Sequence, residues 1–281
     1  MATTDLPVRR PTSPTRVERI TPDGRASVPD RLATEEPMEI RVHGPGEEPR
    51  PLAVTMRTPG SDFELAVGFL LAEGLLSGPA DLDTVAYCVG PEGIQQYNVV
   101  TVRLRAPVGD RLRARNVLTT SACGVCGAAS IDDIATHAPP VGSGPEVRTE
   151  VLHGLTEVLG GAQRAFGATG GVHAAARFGP TGDLRAVRED VGRHNALDKL
   201  VGHATLAGAL PLTDDVLLVS GRLSFELVQK AAVAGIPVVC AIGAPSNLAV
   251  ATAERFGQTV VAFLRDGRAN IYSHPERIVG P

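Results

Sequence analysis

Two cysteines separated by two residues are the strongest chemical signal in this sequence. Cys123 and Cys126 lie in the run Cys-Gly-Val-Cys-Gly, so glycines flank both thiols and no bulky side chain shields them. The thiolate is the reactive form of cysteine, and a loop rich in backbone N–H groups favours that anion. The motif therefore indicates a catalytic or sulfur-carrying thiol.

Three other interpretations of this pair stay open. A structural zinc site needs four ligands, and because Cys88 and Cys240 are isolated, scattered histidines would have to complete it. A thioredoxin-like dithiol is possible, although the sequence has no tryptophan and no predicted strand leads directly into the pair. The pair could also be two small residues at a tight turn. We expect no bound metal.

The sequence also excludes a zinc deaminase reaction. Such an enzyme carries H-x-E followed later by P-C-x-x-C. The H-x-E run of this chain is His274-Pro275-Glu276, which lies after the cysteines, and Ala122 stands where the proline would precede Cys123. The order and the flanking residue are both wrong for that chemistry.

A second candidate site is the predicted strand-to-helix junction 188–199. His194 and Asp198 are four residues apart and therefore neighbours on a helix, and the same spacing separates Asn195 from Lys199. An ordinary helix with an acidic residue near its positive end would explain part of this pattern. A core helix does not need Arg, His, Asn and Lys together, so we favour a functional site.

A third candidate site lies where three predicted parallel strands end, at 220–222, 243–246 and 265–268. The carboxyl ends of parallel strands meet at one sheet edge, where anionic ligands bind to helix N-termini. We expect Ser220-Gly221 and Ser246 to present backbone N–H groups there. No Walker or G-x-G-x-x-G motif accompanies them. The side chains that could hold phosphates are Arg222, Arg265 and Arg268.

The composition limits the class of protein. The 281 residues carry a formal net charge of −4, so no chain-wide positive field would attract nucleic acid. No apolar run reaches the ~18 residues that span a bilayer, and no secretory signal is present. Four cysteines in a chain of this length are not a disulfide framework. We therefore expect a cytoplasmic protein that binds neither nucleic acid nor membranes.

The predicted helices and strands that position these residues indicate an α/β fold. Residues 1–35 lack periodicity and are predicted to be a mobile tail. Residues 36–145 form a smaller N-terminal α+β portion that ends in the cysteine loop. Residues 146–281 alternate short apolar strands with helices, which predicts a C-terminal α/β domain with a parallel sheet.

Two helix boundaries are predicted more closely. Ser61 precedes Glu64 by three residues, which is the pattern of a capping box at a helix start. A second helix is predicted from about residue 150 to residue 166. Asp266-Gly267 is a hairpin turn signal near the end of the chain.

Taken together, these segments resemble the formate dehydrogenase accessory sulfurtransferase family, FdhD, from about Glu36 to Ile278. The order and spacing of several long motifs carry the resemblance, and the departures are a long N-terminal tail and His43-Gly44 in place of Asn-Gly. The motifs are Thr58-Pro59-Gly60, Gly68-Phe69-Leu70 with Glu73-Gly74, Cys123-Gly-Val-Cys126-Gly, Gly170-Gly171-Val172-His173-Ala174-Ala175, the run Arg188–Lys199, Ser220-Gly-Arg-Leu-Ser-Phe-Glu226 with Gln229-Lys230, and Ala244-Pro245-Ser246.

The resemblance implies a cytoplasmic sulfur carrier with a cytidine-deaminase-like α/β fold that lacks the zinc chemistry. Such a carrier accepts persulfide sulfur from a cysteine desulfurase. It passes the sulfur to the molybdenum cofactor, bis-molybdopterin guanine dinucleotide, before that cofactor enters formate dehydrogenase. Here the cofactor is a bound substrate.

By match to the family motifs, Cys123 is the persulfide carrier and Cys126 assists it. The stretch matched to the cofactor is Phe263, Leu264, Arg265, Asp266, Gly267 and Arg268. The resemblance further implies a homodimer. A rival interpretation is a chaperone that binds the cofactor without moving sulfur.

Overall fold

Strands dominate the first part of the described chain, and helices alternate with strands in the rest. The computed structural model describes residues 10–89, 95–109 and 140–280. The first elements are β1 (Thr12–Thr21), β2 (Gly24–Ala33), β3 (Glu36–His43), β4 (Arg50–Arg57), α1 (Asp62–Ala72), β5 (Leu82–Val89) and β6 (Gln95–Leu104).

The elements that follow residue 140 are mostly short. They are β7 (Val147–Arg148), α2 (Thr149–Ala162), α3 (Arg164–Thr169), β8 (His173–Phe178), β9 (Leu184–Asp190), α4 (Arg193–Leu206), β10 (Val216–Val219), α5 (Phe225–Val233), β11 (Val238–Ala241), α6 (Asn247–Phe256), β12 (Thr259–Arg265), β13 (Arg268–Ser273) and β14 (Ile278–Val279). Single 3-10 turns lie at Pro79–Asp81 and Pro275–Arg277.

The strands β4, β3, β6 and β5 form a four-stranded sheet in that order. β3 and β6 run parallel, and the outer pairs are antiparallel. Met38, Ile40 and Val42 alternate with polar residues along β3, so they share one face of the sheet. They are buried in one cluster with Leu65 and Leu70 of α1. This helix therefore covers the apolar face of the sheet.

The strands β13, β12, β11, β10, β8 and β9 form a six-stranded sheet in that order. β10, β11 and β12 are parallel, and their neighbours are antiparallel. Leu217 and Val239 face the core that contains Leu200 of α4, whereas Leu218 packs with Leu155 of α2 on the other face. The predicted α/β class, with a mixed sheet flanked by helices, is confirmed.

The helices α1 and α4 cross with their backbones in contact. A Cβ atom placed on Gly68 would overlap the carbonyl group of Asp198, and one on Gly202 would overlap the carbonyl group of Glu64. Because each glycine faces the backbone of the opposite helix, no larger residue fits at either position. This crossing joins the helix on the four-stranded sheet to the helix on the six-stranded sheet.

The predicted tail is wrong for residues 12–33. β1 and β2 pair along their whole length in an antiparallel hairpin, with Thr12 opposite Ala33 and Thr21 opposite Gly24. The signal that the sequence analysis missed is Pro22-Asp23-Gly24, a turn sequence between two runs that contain β-branched residues. Residues 1–9 lie outside the described residues.

Two helix predictions also need correction. Ser61 has a φ of 56° and makes no side-chain cap bond, so the predicted capping box is absent. The Asp62 carboxylate accepts from the Gly60 N–H (3.2 Å) at this turn instead. The predicted helix over 150–166 is two helices, because the Glu189 carboxylate accepts from two N–H groups of α3 and starts a new helix after Gln163.

Within the described residues, no helix is both long enough and apolar enough to cross a bilayer. The predicted boundaries between 35 and 36 and between 145 and 146 stay predictions.

Gly68→Ala should destabilise the protein by about 1–3 kcal/mol or more, because a methyl group must push α1 away from the Asp198 carbonyl. The free energy of unfolding in urea measures the effect. Gly154→Ala is the matched control: Gly154 lies in helix α2 and a Cβ there meets nothing within 4 Å. The control should be neutral or slightly stabilising. Equal stability of the two variants would contradict the tight crossing.

Candidate functional site

A buried ion pair joins the end of β9 to helix α4. The Asp190 carboxylate is fully buried and lies 2.7 Å from the Lys199 ammonium. It also accepts hydrogen bonds from the backbone N–H groups of Thr58 and Gly192. Lys199 donates in turn to the Thr58 carbonyl oxygen at 2.7 Å. With so many partners, this pair holds the β4–α1 turn against α4 and does not present a free charge.

A second buried pair connects α4 to α5. The Lys230 ammonium lies 2.6 and 2.7 Å from the two Asp198 carboxylate oxygens and 3.6 Å from Glu226. Its charge also lies 5.7 Å from the centre of the Phe69 ring of α1. Burial raises the pKa of the Asp198 carboxyl to about 7, and the Lys230 charge opposes that rise.

The helix neighbours that the sequence analysis singled out therefore bind elsewhere. Asp198 pairs with Lys230, Lys199 pairs with Asp190, and Asn195 donates to the Met56 carbonyl oxygen at 2.8 Å. Each of these partners lies on another element. The junction is thus the point where four segments are joined, and its His194 side chain stays partly accessible.

His194 lies at the start of α4 and faces the start of α5. Its Nε2 atom is 3.2 Å from the Ser224 hydroxyl and 3.4 Å from the Glu226 carboxylate. Burial lowers the pKa of His194 to about 4; Glu226 opposes this, while Lys230, Arg193 and His173 reinforce it. The imidazole is therefore neutral at pH 7 and can accept a proton.

A second histidine lies beside the first strand-end loop. Burial and the nearby Arg193 charge lower the pKa of His173. A Cβ atom on Gly221 would lie 3.3 Å from its Nδ1 atom, so the glycine lets the loop approach the ring. His173 stands alone in an apolar strand, so its spacing in the sequence does not predict a site residue. The sheet register brings it to this edge.

The prediction that three strand ends share one edge is confirmed. The Gly243 N–H donates to the Gly221 carbonyl oxygen at 3.0 Å, and the Phe263 N–H donates to the Gly243 carbonyl oxygen at 3.2 Å. Leu223 and Ser246 are joined in the same way, by a backbone bond of 3.0 Å. The loop after β10, the loop after β11 and the bulge in β12 are thus joined to one another by backbone hydrogen bonds.

The predicted use of backbone N–H groups at this edge is corrected for Ser220 and Ser246, and it stays a prediction for Gly221. The Ser246 N–H donates to Leu223, and the Ser220 N–H donates to Ala174, so neither is free for a ligand. Both hydroxyls also accept from backbone N–H groups, Ser246 from Ala249 and Ser220 from Ala174. The polar groups of Ser220 and Ser246 therefore hold the edge together.

The predicted cofactor stretch 263–268 forms the end of the β12–β13 hairpin. A bulge between Ala262 and Arg265 and a φ of 55° at Phe263 turn this ring toward the core beside Ala262. Leu264 is only 1% exposed and packs in the opposite core, so its side chain faces no solvent.

The charged part of that stretch is accessible. Asp266 and Gly267 both have positive φ, as a two-residue hairpin turn requires, and they place Arg265 opposite Arg268. All four residues are exposed, and the Arg265 guanidinium lies 5.9 Å from the centre of the Phe263 ring. Two exposed guanidinium groups on one turn suit an anionic ligand such as a diphosphate.

The remaining predictions concern the cysteines and metal binding. Cys123 and Cys126 lie outside the described residues. Cys240 is fully buried, and burial raises its pKa to about 12, so it is inert. Cys88 is only partly buried, with the Arg41 guanidinium 3.9 Å from its sulfur. Within residues 10–89, 95–109 and 140–280, no cluster of three or more His, Cys, Asp or Glu side chains could hold a metal ion.

Comparison with known proteins gives a consistent result. The family described as FdhD/NarQ matches residues 33–279. A relative from Streptomyces avermitilis named "Sulfur carrier protein FdhD" is 50% identical over 280 residues, which covers 96% of each chain. A relative of the same name from Mycobacterium tuberculosis is 48% identical over 272 residues, covering 94% of this chain and 97% of that protein.

A solved structure agrees as well. The crystal structure of a protein assigned as a formate dehydrogenase accessory protein from Desulfotalea psychrophila superposes with a TM-score of 0.73. The two chains are 25% identical, and the match covers 95% of this chain and 99% of that one.

The lowered pKa of His194 makes stability depend on pH. Between pH 6.5 and about 4 the unfolded chain binds a proton at this side chain that the folded chain does not, so folding weakens as the pH falls through that window. His194→Gln keeps a hydrogen-bonding side chain but cannot titrate. The loss of unfolding free energy between pH 7 and pH 5 should be about 2 kcal/mol smaller in this variant than in the wild type.

Urea unfolding at the two pH values measures that difference. His153→Gln, a substitution at an exposed histidine of α2, is the control and should leave the pH dependence unchanged. An identical pH dependence in wild type and His194→Gln would show that His194 is not held neutral.

Proposed function

This chain belongs to the FdhD/NarQ family, and we propose on that basis that it is a sulfur carrier that supports formate dehydrogenase. The observation that carries the proposal is the near full-length match to relatives named as sulfur carriers. That match extends over both the cysteine pair and the sheet-edge segments. The protein would act as a sulfurtransferase in the cytoplasm, as a homodimer.

The first step in this proposal is the loading of sulfur on Cys123. A cysteine desulfurase carries a persulfide, and the Cys123 thiolate attacks its terminal sulfur. The sulfur–sulfur bond of the donor breaks as a new one forms on Cys123, the donor cysteine leaves as a thiolate, and no net oxidation takes place. Cys126 assists by offering a second thiol three positions away in the chain.

The second step is delivery of the sulfur to the molybdenum cofactor, bis-molybdopterin guanine dinucleotide, before it enters formate dehydrogenase. The cofactor is here a bound substrate whose diphosphate groups need cationic partners. Support for this step comes from the exposed Arg265 and Arg268 at the hairpin tip and from exposed Arg222 on the neighbouring loop. Arginine forks bind phosphate oxygens in pairs, which favours this edge for the nucleotide part.

The edge also has the rigidity that such a site needs. Its three loops are tied by backbone hydrogen bonds, so the arginine side chains extend from a fixed frame. In a pre-organised frame, the protein loses less conformational entropy when a ligand binds. The neutral His194 and the Ser224 hydroxyl lie beside the first of these loops and add hydrogen-bonding groups to the site.

Cys123→Ala should abolish the transfer of sulfur to this protein, because no other cysteine is proposed as the primary acceptor. Cys126→Ala should reduce the transfer less. The measurement is mass spectrometry of the intact protein and its peptides after incubation with a cysteine desulfurase and cysteine. Activation of formate dehydrogenase is measured in parallel.

Cys88→Ala is the control, since this thiol is partly exposed but not part of the proposed pair. It should leave sulfur loading and formate dehydrogenase activation unchanged. If the wild type activates formate dehydrogenase without gaining a sulfur atom, the protein is a cofactor-binding chaperone instead. Full activation by the Cys123 variant would remove the carrier role from this residue.

Arg268→Ala should weaken the binding of GDP, which mimics half of the cofactor's nucleotide part. The loss of one charge-assisted contact to a diphosphate corresponds to about tenfold or more in affinity. Calorimetric titration of GDP into the wild type and the variant gives the ratio. Arg148→Ala, at an exposed arginine paired with Glu150 away from this edge, should bind as the wild type does. Equal affinities in all three proteins would place the nucleotide part elsewhere.

A further inference from the structure

A cleft of about 620 Å³ lies on the side of the molecule where β9 is the edge strand. The β1–β2 hairpin, the β4–α1 turn, helix α3 and strand β9 form its walls. Its charged lining side chains are Arg31, Arg164, Arg188, Glu189 and Lys199. This volume is within the range of sites that bind small molecules.

Two of the four cations in this cleft are already neutralised. Arg188 binds the Glu64 carboxylate through both its Nε and Nη2 atoms. Lys199 pairs with the buried Asp190. These two groups give the wall its shape and contribute little free charge to a ligand.

The other two cations have no acidic partner among the residues that the structure describes. Arg31 donates its guanidinium hydrogens to the Thr12 hydroxyl, with Nη2 at 2.6 Å. For Arg164, no residue within the described part of the chain supplies a hydrogen bond or an ion pair to its side chain. Both side chains are exposed at the cleft, so an incoming anion can reach them.

The carboxylate among the described lining residues, Glu189, is held by the start of helix α3. Both oxygens of Glu189 accept hydrogen bonds from α3, one from the Ala165 N–H at 2.9 Å and one from the Phe166 N–H at 2.8 Å. These bonds fix the carboxylate against the helix start and spread its charge onto the backbone dipoles. The guanidinium groups of Arg31 and Arg164 are therefore the charges that a ligand can bind.

We propose that this cleft binds a small molecule that carries phosphate groups. Arg31 of the hairpin and Arg164 of α3 both line the cleft and are exposed, and guanidinium groups bind the oxygens of a diphosphate in pairs. The site is distinct from the β12–β13 hairpin tip that carries Arg265 and Arg268, because β9 and β12 are four strand spacings apart, about 19 Å. The proposal does not depend on sulfur transfer.

The experiment is a calorimetric titration of inorganic pyrophosphate into the full-length protein. Arg268→Ala serves as the background, so that binding at the hairpin tip does not obscure the result. In that background pyrophosphate should bind, and adding Arg164→Ala should weaken the binding about tenfold, with Arg164→Glu weakening it further. Arg31→Ala should act in the same direction. Adding Arg148→Ala should have no effect.

Other outcomes would overturn the proposal. Pyrophosphate binding that disappears with Arg268→Ala alone would assign the phosphate site to the sheet edge only. Binding that is unaffected by Arg164→Ala, Arg164→Glu and Arg31→Ala would exclude the cleft. Binding of a hexaglutamate peptide without binding of pyrophosphate would indicate an acidic protein segment instead. Circular dichroism melting of each variant confirms that it is folded, and Arg164 is exposed enough for its substitution to leave the fold intact.

Discussion

The backbone contact between α1 and α4 at Gly68 and Gly202 is the constraint on which the rest of the structure depends. α1 covers the four-stranded sheet, and α4 lies on the six-stranded sheet, so the distance between these helices sets the distance between the sheets. One buried cluster runs from Met38 in the first sheet to Val239 in the second. Hydrophobic burial is non-directional and would tolerate other crossings, whereas two glycines facing each other's helix permit this close approach.

Buried charges then fix the orientation that the glycines allow. Asp190 and Lys199 tie β9 and α4 to the turn before α1, and Arg57 binds Asp62 through two hydrogen bonds of 3.0 Å. Removing one partner of such a pair typically costs about 3–5 kcal/mol, although the pair itself adds little net stability. These ion pairs therefore disfavour alternative packings of the helices and strands more than they stabilise the observed packing. Lys230, the other lysine of the sequence, serves the same purpose between α4 and α5.

The same frame explains where ligand-binding groups remain free. At the edge formed by β10, β11 and β12, the N–H groups of Gly243, Ser246 and Phe263 join the loops, and arginine side chains at the hairpin tip carry the positive charge. On the β9 side, Glu189 starts a helix and leaves Arg164 without an acidic partner in the described chain. In both places a local structural bond determines which neighbouring side chain stays available.

The sequence by itself determined the α/β class, the alternation of strands and helices after residue 170, and the meeting of three strand ends, because hydrophobic period and turn residues are local properties. It also indicated that the cysteine pair and the 188–199 junction are candidate functional sites. Only the tertiary structure decided which partners those residues have, since Asp198 meets Lys230 and His173 meets Gly221 across long stretches of chain. The left-handed Ser61 and the buried Leu264 were equally beyond local reasoning, because bulges and burial are set by contacts between elements. The hairpin of residues 12–33 is different, since the turn sequence Pro22-Asp23-Gly24 is a local signal for it.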